Sequence, residues 1–450
     1  MANSRKSKSS DLQDRVAAVL ARHVFPRAHL KLGFSGGVDS TVLLDVLATL
    51  APQFPFSLSC LHVHHGLSPN ADGWARFARS TAKAYGVPCM VKRVDIHANR
   101  KLGIEAAARK ARYEVFAAAK ADFILSAQHE DDQAETLVLQ LLRGAGLSGL
   151  AAMPELREFA PGKKLLRPML GLSRAQIERY AEQHQLAWVE DESNRDTAFA
   201  RNYVRHEVLP RLQQLNSAAC ANLARTAAHL GEAKALLDEL AAADLESWGE
   251  TGMLKLEAFE CLSRPRAGNL LRFWLNARGA GVPNSAELEE AVRQLLSARS
   301  DAQVRLRLNG MLLRRFKKRA WLEPFDAFSG LDGFVSTWNG EKKWPLSALG
   351  GSFHFERSVG EGIALRVLDD PSRVQVRLRQ GGERFRPDSG RPRRSLKKLF
   401  QEQGIAPWER DRLPLLFSEE ALVFVPGIGV AAEAQAQPGE AALKARWLAE

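Results

Sequence analysis

The chain reads as an α/β protein: a doubly wound parallel sheet at the N-terminus, then a mostly helical middle domain and a small α+β domain. Three observations predict this. Strand-like apolar runs at 28–34, 57–63, 88–95 and 122–126 alternate with helical patterns at 39–50, 72–86, 103–120 and 130–143, the order that builds βαβ units. Residues 211–250 and 284–298 are rich in Ala, Leu and Glu at helical period and lead to arginine-rich strands at 303–323. After them, FHFERSVG, VQVRLRQ and ALVFVPGIGVA read as short strands around one helix at 395–403. These shifts set domains at 1–215, 216–325 and 351–450, with 326–350 as a linker holding PFDAFSGLDG and a closing Gly-Gly.

The first strand ends in the most informative junction, AHLKLGFSGGVDSTVLLD at 28–45. Ser35, Gly36 and Gly37 free the loop of bulky side chains, so its backbone N–H groups can turn inward on an anion. Val42, Leu43, Val46 and Leu47 then recur at helical spacing, which puts the loop at a helix N-terminus, where phosphate is the natural guest. The loop matches neither GxxxxGK[ST] nor GxGxxG. Where a lysine would grip phosphate stands Asp39, a carboxylate that repels a polyphosphate unless a divalent cation lies between them; magnesium is implied. An ordinary glycine turn with Asp39 as helix N-cap is the other reading.

Parallel sheets place ligands at the carboxyl ends of their strands, where Ser35, His62 through His65 and Gln128 through Asp132 all fall. Alternation along a strand keeps His62, His64 and His65 from meeting on one metal, so lining a nucleotide is the expectation for them. His129, Asp131, Asp132 and Glu135 open the helix after the fourth strand. For His129 two readings stand, a donor or general base at a phosphate and a packed, hydrogen-bonded ring. Asp131 and Glu135 also read as first-turn acids favoured by the helix dipole. Arg109 and Arg112 share a helix face with Glu105, either as a clamp on an anion or as a surface ion-pair ladder.

With 450 residues the chain has room for two to four cores, and its net charge of +11 favours a polyanionic partner, RNA before membrane. No apolar run reaches the roughly 18 residues needed to span a bilayer, and MANSRKSKSS lacks the apolar core of a signal peptide, so a cytoplasmic protein is expected. Cys60, Cys89, Cys220 and Cys261 form no CxxC and no metal-ligand spacing, and read as buried small residues.

SGGVDS resembles the loop of the N-type ATP pyrophosphatases, the PP-loop superfamily, whose members cleave ATP between its α and β phosphates to adenylate an acceptor. LHVHHGLS at 61–68, EAAARKARYEVF at 105–116, SAQHEDDQAETLVLQLLRG at 126–144 and WVEDESNRDTAFARNYVRHEVLP at 188–210 resemble successive blocks of one of its families, the tRNA(Ile)-lysidine synthetases. RLRLNGMLLRRFKKRAWLEP and SLKKLFQEQGIAPWERDRLPLLF resemble the two accessory domains of that family's long bacterial form. The resemblance implies a PP-loop ATPase-like catalytic domain and a ligase reaction. Cytidine 34 of a precursor isoleucine tRNA with anticodon CAU is adenylated at its C2 oxygen, and the amine of free L-lysine displaces AMP to leave lysidine.

Under that resemblance Ser35, Gly36, Gly37, Val38, Asp39, Ser40 and His62 bind ATP, Asp39 and Asp132 hold Mg2+, and Asp39, Arg112, His129 and Asp132 carry the catalysis. Glu135 and the loop after Gly144 are the candidates for the charged ends of lysine. Arg195, Arg201, Asn202 and Arg205 form one stretch suited to RNA; Arg391, Arg393, Arg394, Lys397 and Lys398, followed by Trp408, form a second. The chain departs from the family pattern at His64, Ser68 and Gln128, where an asparagine, a basic residue and a second histidine are expected. A tRNA thiolation enzyme is the alternative, for which no cysteine pair is available; the oligomeric state is open, a homodimer included.

Overall fold

A computed structural model describes residues 3–95, 103–250, 252–281, 284–297, 304–325, 331, 333–387, 389–390 and 392–449. The chain divides into two compact units, Met1–Glu239 and Leu240–Glu450. The first runs α1 (Asn3–His23), β1 (His29–Gly33), α2 (Val38–Leu50), β2 (Ser57–His64), α3 (Ala71–Ala84), β3 (Cys89–Arg93), α4 (Ile104–Ala118), β4 (Phe123–Leu125), α5 (Glu130–Leu142), α6 (Leu147–Leu150), β5 (Leu156–Ala160), β6 (Lys163–Leu166), α7 (Arg174–Gln183), α8 (Ala200–Tyr203) and α9 (Leu209–Leu215), then enters α10 (Ala219–Trp248). α1 begins at Asn3, within the polar N-terminal segment.

The four expected strands pair in parallel in the order β3-β2-β1-β4, and β6 adds parallel to β4. β5 closes the edge antiparallel to β6. Arg157 and Glu158 interrupt its apolar residues, so it lacks the continuous apolar run that marks the inner strands. The strand order reverses between β1 and β4, so the crevice beyond their carboxyl ends is the topological switch point.

Behind that crevice α2 is buried nearly all round. Val42, Leu43, Leu44, Val46 and Leu47 are closed off in a core shared with β1, α1 and α7, each contributing roughly 1.5–3 kcal/mol. Asp45, on the same helix, accepts hydrogen bonds from the Tyr85 and Tyr180 hydroxyls at 2.9 and 2.7 Å. The loop that opens α2 therefore stands on a close-packed base.

In the second unit β7 (Gly249–Glu250), β8 (Met253–Lys255), β9 (Arg305–Leu308), β10 (Met311–Phe316) and β11 (Arg319–Pro324) form a sheet in the order β7-β8-β11-β10-β9. The helices α11 (Ala258–Cys261), α12 (Arg264–Ala277) and α13 (Ser285–Ser297) accompany it, with Leu254, Leu270, Trp274, Leu295 and Leu313 in the shared core. α13 lies where the sequence predicts a helix, at 284–298, whereas α11 and α12 fall between the two predicted helical stretches. β7 and β8 are two and three residues long, too short to show alternation.

The C-terminal part follows with β12 (Val335–Thr337), β13 (Lys343–Leu346), β14 (Gly351–Val359), β15 (Ile363–Ala364), β16 (Val374–Arg377), β17 (Arg384–Phe385), β18 (Arg394–Ser395), α14 (Leu396–Glu402), α15 (Pro407–Arg410), β19 (Leu415–Ser418), β20 (Ala421–Val425), β21 (Gly429–Val430) and β22 (Ala441–Ala449). The sheets β12-β16-β19-β20-β21 and β13-β14-β22-β15 share a core around Phe353, Phe355 and Phe424. The expected linker at 326–350 thus contributes two strands: Trp338, Trp344 and Leu346 bury in that core, although Gly340 and Pro345 make the segment read as a connection. Residues 326–330 of it lie outside the described residues.

Candidate active site

Only glycine fits at position 36. Its φ is +89°, and a Cβ there would lie 3.0 Å from Val189 Cγ2 and 3.2 Å from Phe77. The Gly36 N–H donates to Ser40 Oγ at 3.1 Å and the Gly37 N–H to Ser35 Oγ at 3.3 Å, so both donors turn to hydroxyl oxygens within the loop. Val189 closes the loop from outside, its N–H donating to the Gly36 carbonyl at 3.0 Å. Gly37 is the N-cap of α2 and brings no side-chain cap, which overturns Asp39 as N-cap. Asp39 Oδ1 is buried without a hydrogen-bond partner. Burial pushes its carboxyl above the ordinary range, against the pull of His129 and Arg174.

The β4–α5 corner faces that carboxylate. His129 is the N-cap of α5, and its N–H donates to Asp132 Oδ2 at 3.0 Å. The ring, 1% exposed, lies among three carboxylates: Nε2 is 3.6 Å from both Asp39 and Asp132, and Nδ1 is 3.6 Å from Asp131. Burial disfavours its charge, yet Asp132, Asp131 and Asp39 together raise its pKa above the usual histidine value. That favours an imidazolium donor over a general base.

Three expectations change here. Asp132, expected to hold metal, has Oδ1 engaged by Arg201 at 2.8 Å and Arg205 at 3.2 Å and Oδ2 by the His129 N–H. Burial opposes its ionisation, but His129, Arg201 and Arg205 hold its pKa down, so it is an ion-paired carboxylate. Arg201 and Arg205, expected on RNA phosphates, turn inward instead: each also donates to Glu135, at 2.7 and 2.5 Å, and Glu135 is 0% exposed. Glu135, named for the lysine substrate, therefore has both oxygens engaged by protein. A π-helical turn at Val204–Val208 carries Arg205, and such turns recur at functional sites.

Arg112 has no hydrogen-bond or ion-pair partner among the described residues. Solvent reaches its side chain, yet the surrounding walls strip enough hydration to lower its pKa, and Arg109 adds like-charge repulsion. Arg109 stacks over Tyr113 with its guanidinium carbon 5.1 Å from the ring centre. His62 is tied by Nδ1 to the Phe34 carbonyl at 2.9 Å, which fixes the proton on Nδ1 and leaves Nε2 an acceptor. His64 instead meets Asp72 at 3.1 Å, a partner that Arg93 shares. The Ser68 and Asn70 side chains contact Glu192, and Gln128 accepts from Arg167.

Burial, followed by the charge of Arg112, lowers the His65 pKa to about 4, and its Nδ1 has no partner. A histidine held neutral stabilises the fold above its unfolded pKa near 6.5, and that contribution is lost as pH falls toward 4. Thermal denaturation between pH 8 and pH 4 is expected to show His65→Asn with a flatter acid limb than the wild type. Superimposable limbs would contradict this.

Among the other RNA candidates, Arg195 is exposed and pairs with Glu190 at 3.0 Å, while the Asn202 amide pins the Ser193 and Asp196 carbonyls. In the second unit Arg393 pairs with Glu433 and Arg394 with Glu402, while Lys397 and Lys398 are exposed. Arg391 lies outside the described residues. Trp408 does not present a face for a base to stack on: it is 8% exposed, edge-on to Phe316 and Trp321, with Arg314 over its ring. Helix α15 packs it inward, which a charge run ahead of it in sequence does not reveal.

Arg174 and Val189 were not legible as site residues. Arg174 opens α7, and its N–H donates to Asp131 Oδ2 at 2.9 Å, a contact between segments 43 residues apart. All four cysteines are free, and burial pushes the thiols of Cys60 and Cys220 up to about 12. Among the described residues no helix is long and apolar enough to cross a membrane.

A glycine loop without a Walker lysine, at the switch point of a doubly wound sheet and beside a carboxylate oxygen that accepts no hydrogen bond, defines a nucleotide-binding domain of the PP-loop class. Residues 8–212 match the PP-loop domain family, 254–321 the TilS substrate binding domain and 374–447 the TilS substrate C-terminal domain. The chain is 42% identical to a tRNA(Ile)-lysidine synthase of Nitrosomonas europaea over 99% of its own length and 98% of the relative's. It is 41% identical to that of Aromatoleum aromaticum over 95% and 99%, and 39% identical to that of Serratia proteamaculans over 96% and 99%. The chain belongs to the tRNA(Ile)-lysidine synthase family.

Proposed function

We propose that the chain uses ATP to adenylate the C2 oxygen of cytidine 34 in a CAU-anticodon isoleucine tRNA and then joins L-lysine there, releasing AMP. The observation that carries this reading is the Asp39 carboxylate at the start of α2, whose buried Oδ1 accepts no hydrogen bond and has only the His129 ring nearby at 3.6 Å, with the Arg112 cation on α4, unpaired among the described residues. Together they suit a polyphosphate that arrives with a divalent cation. Ser35, Gly36, Gly37, Val38 and Ser40 cradle the phosphates, the loop hydroxyls yielding their N–H donors to phosphate oxygens. His62 offers Nε2 to a donor on the nucleotide. The orphaned Asp39 oxygen fits Mg2+ as a ligand, whereas Asp132 is spent on arginines. When bound, the ion offsets charge on the phosphates and on departing pyrophosphate.

Arg112 and the imidazolium of His129 steady the charge that builds on the α-phosphate as the pyrimidine oxygen attacks. The exposed Lys397, Lys398 and Arg195 serve the tRNA backbone, where each neutralised phosphate releases counterions. ATP, tRNA and lysine meet in the cytoplasm, the compartment proposed. Sulfur transfer is disfavoured, because Cys60, Cys89, Cys220 and Cys261 form no CxxC pair to hold a cluster or relay sulfur. The test is incorporation of radiolabelled lysine into unmodified CAU isoleucine tRNA with ATP and magnesium. Label that requires ATP and disappears when cytidine 34 is replaced is expected; absence of label from the complete mixture overturns the reading.

A further inference from the structure

Arg167 is a buried cation without an acid to hold it. It stands one residue past β6, 1% exposed, and no carboxylate among the described residues pairs with it. Its Nε donates to Gln128 Oε1, its Nη1 to the Pro154 carbonyl at 2.7 Å, and its backbone N–H to the Glu155 carbonyl at 2.8 Å. Burial pushes its pKa down from arginine's usual value; Tyr113 offsets this in part, and Arg157 and Arg109 add repulsion. A charge in this state is a poor source of stability, because an apolar side chain of similar volume avoids the desolvation penalty.

What Arg167 touches gives it another task. Gln128 immediately precedes His129, and at the other end of the corner Gln133 grips Met153, accepting its N–H at 2.9 Å and donating to its carbonyl at 2.7 Å. Two amide side chains thus flank His129 and Asp132, and both are tied to the 153–155 turn, Gln128 through Arg167. We propose that Arg167 is a positioning residue: through Gln128 it pegs the β4–α5 corner to that turn, and so holds the His129 ring where ATP-dependent transfer needs it. The inference rests on the function proposed above.

The experiment compares wild type, Arg167→Met, Arg167→Lys, Gln128→Met and the double variant Arg167→Met/Gln128→Met in the lysine-incorporation assay. kcat and KM for tRNA are measured and scaled to the folded fraction seen by circular dichroism. Because a small misplacement of reacting groups is costly, each Met variant is expected to lose about 10–100-fold in kcat. KM for tRNA should stay near the wild-type value, and Arg167→Lys should recover part of the loss through its remaining donors. The double variant should be no worse than the poorer single, since one residue acts through the other. Gln128 is only half-buried, so its variant reports even if Arg167→Met fails to fold. Unchanged kcat in Gln128→Met, or losses that multiply in the double variant, would overturn the positioning role. A wild type that incorporates no lysine would instead overturn the underlying reading.

Discussion

Asp39→Asn is expected to lower AMP formation on the order of 100–1,000-fold or more while leaving tRNA affinity unchanged. The amide keeps the shape of the carboxylate but cannot hold a divalent cation against a triphosphate. Protein stability moves the other way. Burial raises the Asp39 pKa, so the folded state bears a cost for its charge at neutral pH, and that cost rises once pH exceeds the unfolded carboxyl value. The asparagine variant should therefore melt no lower than the wild type. An inactive variant with an undiminished melting temperature is the signature of a residue strained for function. Retained AMP formation would remove Asp39 from the site.

Glu135→Leu should have the largest effect on stability. Glu135 is sealed from solvent and accepts from Arg201 at 2.7 Å and from Arg205 at 2.5 Å, and both guanidiniums are mostly buried. Removing one partner of a buried pair costs about 3–5 kcal/mol, and Asp132, which keeps its hold on both arginines, sets the expectation at the lower end. For a unit of this size that is a fall in melting temperature of roughly 6–12 °C. Replacing Arg205 alone with an apolar residue in the same chain should recover part of the loss, because one unpaired charge goes with it while Arg201 still holds Asp132. A single variant that melts with the wild type would show the network to be solvent-screened.

The phosphate loop was legible because its chemistry is local. Glycine at 36, a helix opening at 38 and an acid at 39 are neighbours in sequence, and the backbone conformation they need can be read from residue type. The strands β1 and β4 were legible because each is buried in a parallel sheet and reads as an apolar run. β6 and β12 escaped because their pairing partners, β4 and β16, lie about 40 residues away in the chain.

The arginines mark the limit of such reading. Arg195, Arg201 and Arg205 carry the same charge at similar spacing, yet one faces solvent and two close on Glu135, across 66 and 70 residues. Arg167 gave no signal at all, since a lone arginine before proline predicts neither burial nor a grip on Gln128.

From residue order alone came the α/β class, the loop, the polyanion partner and the family resemblance, all of which depend on patterns within a few residues or on composition. Tertiary structure alone decided which charges meet: Asp39 faces His129 without a hydrogen bond, Asp132 is paired with arginines, and Trp408 is packed against Trp321. The reason is physical. A side chain's propensity and periodicity act along the chain, whereas its hydration and its charge partner are set by whatever the fold brings within a few ångströms.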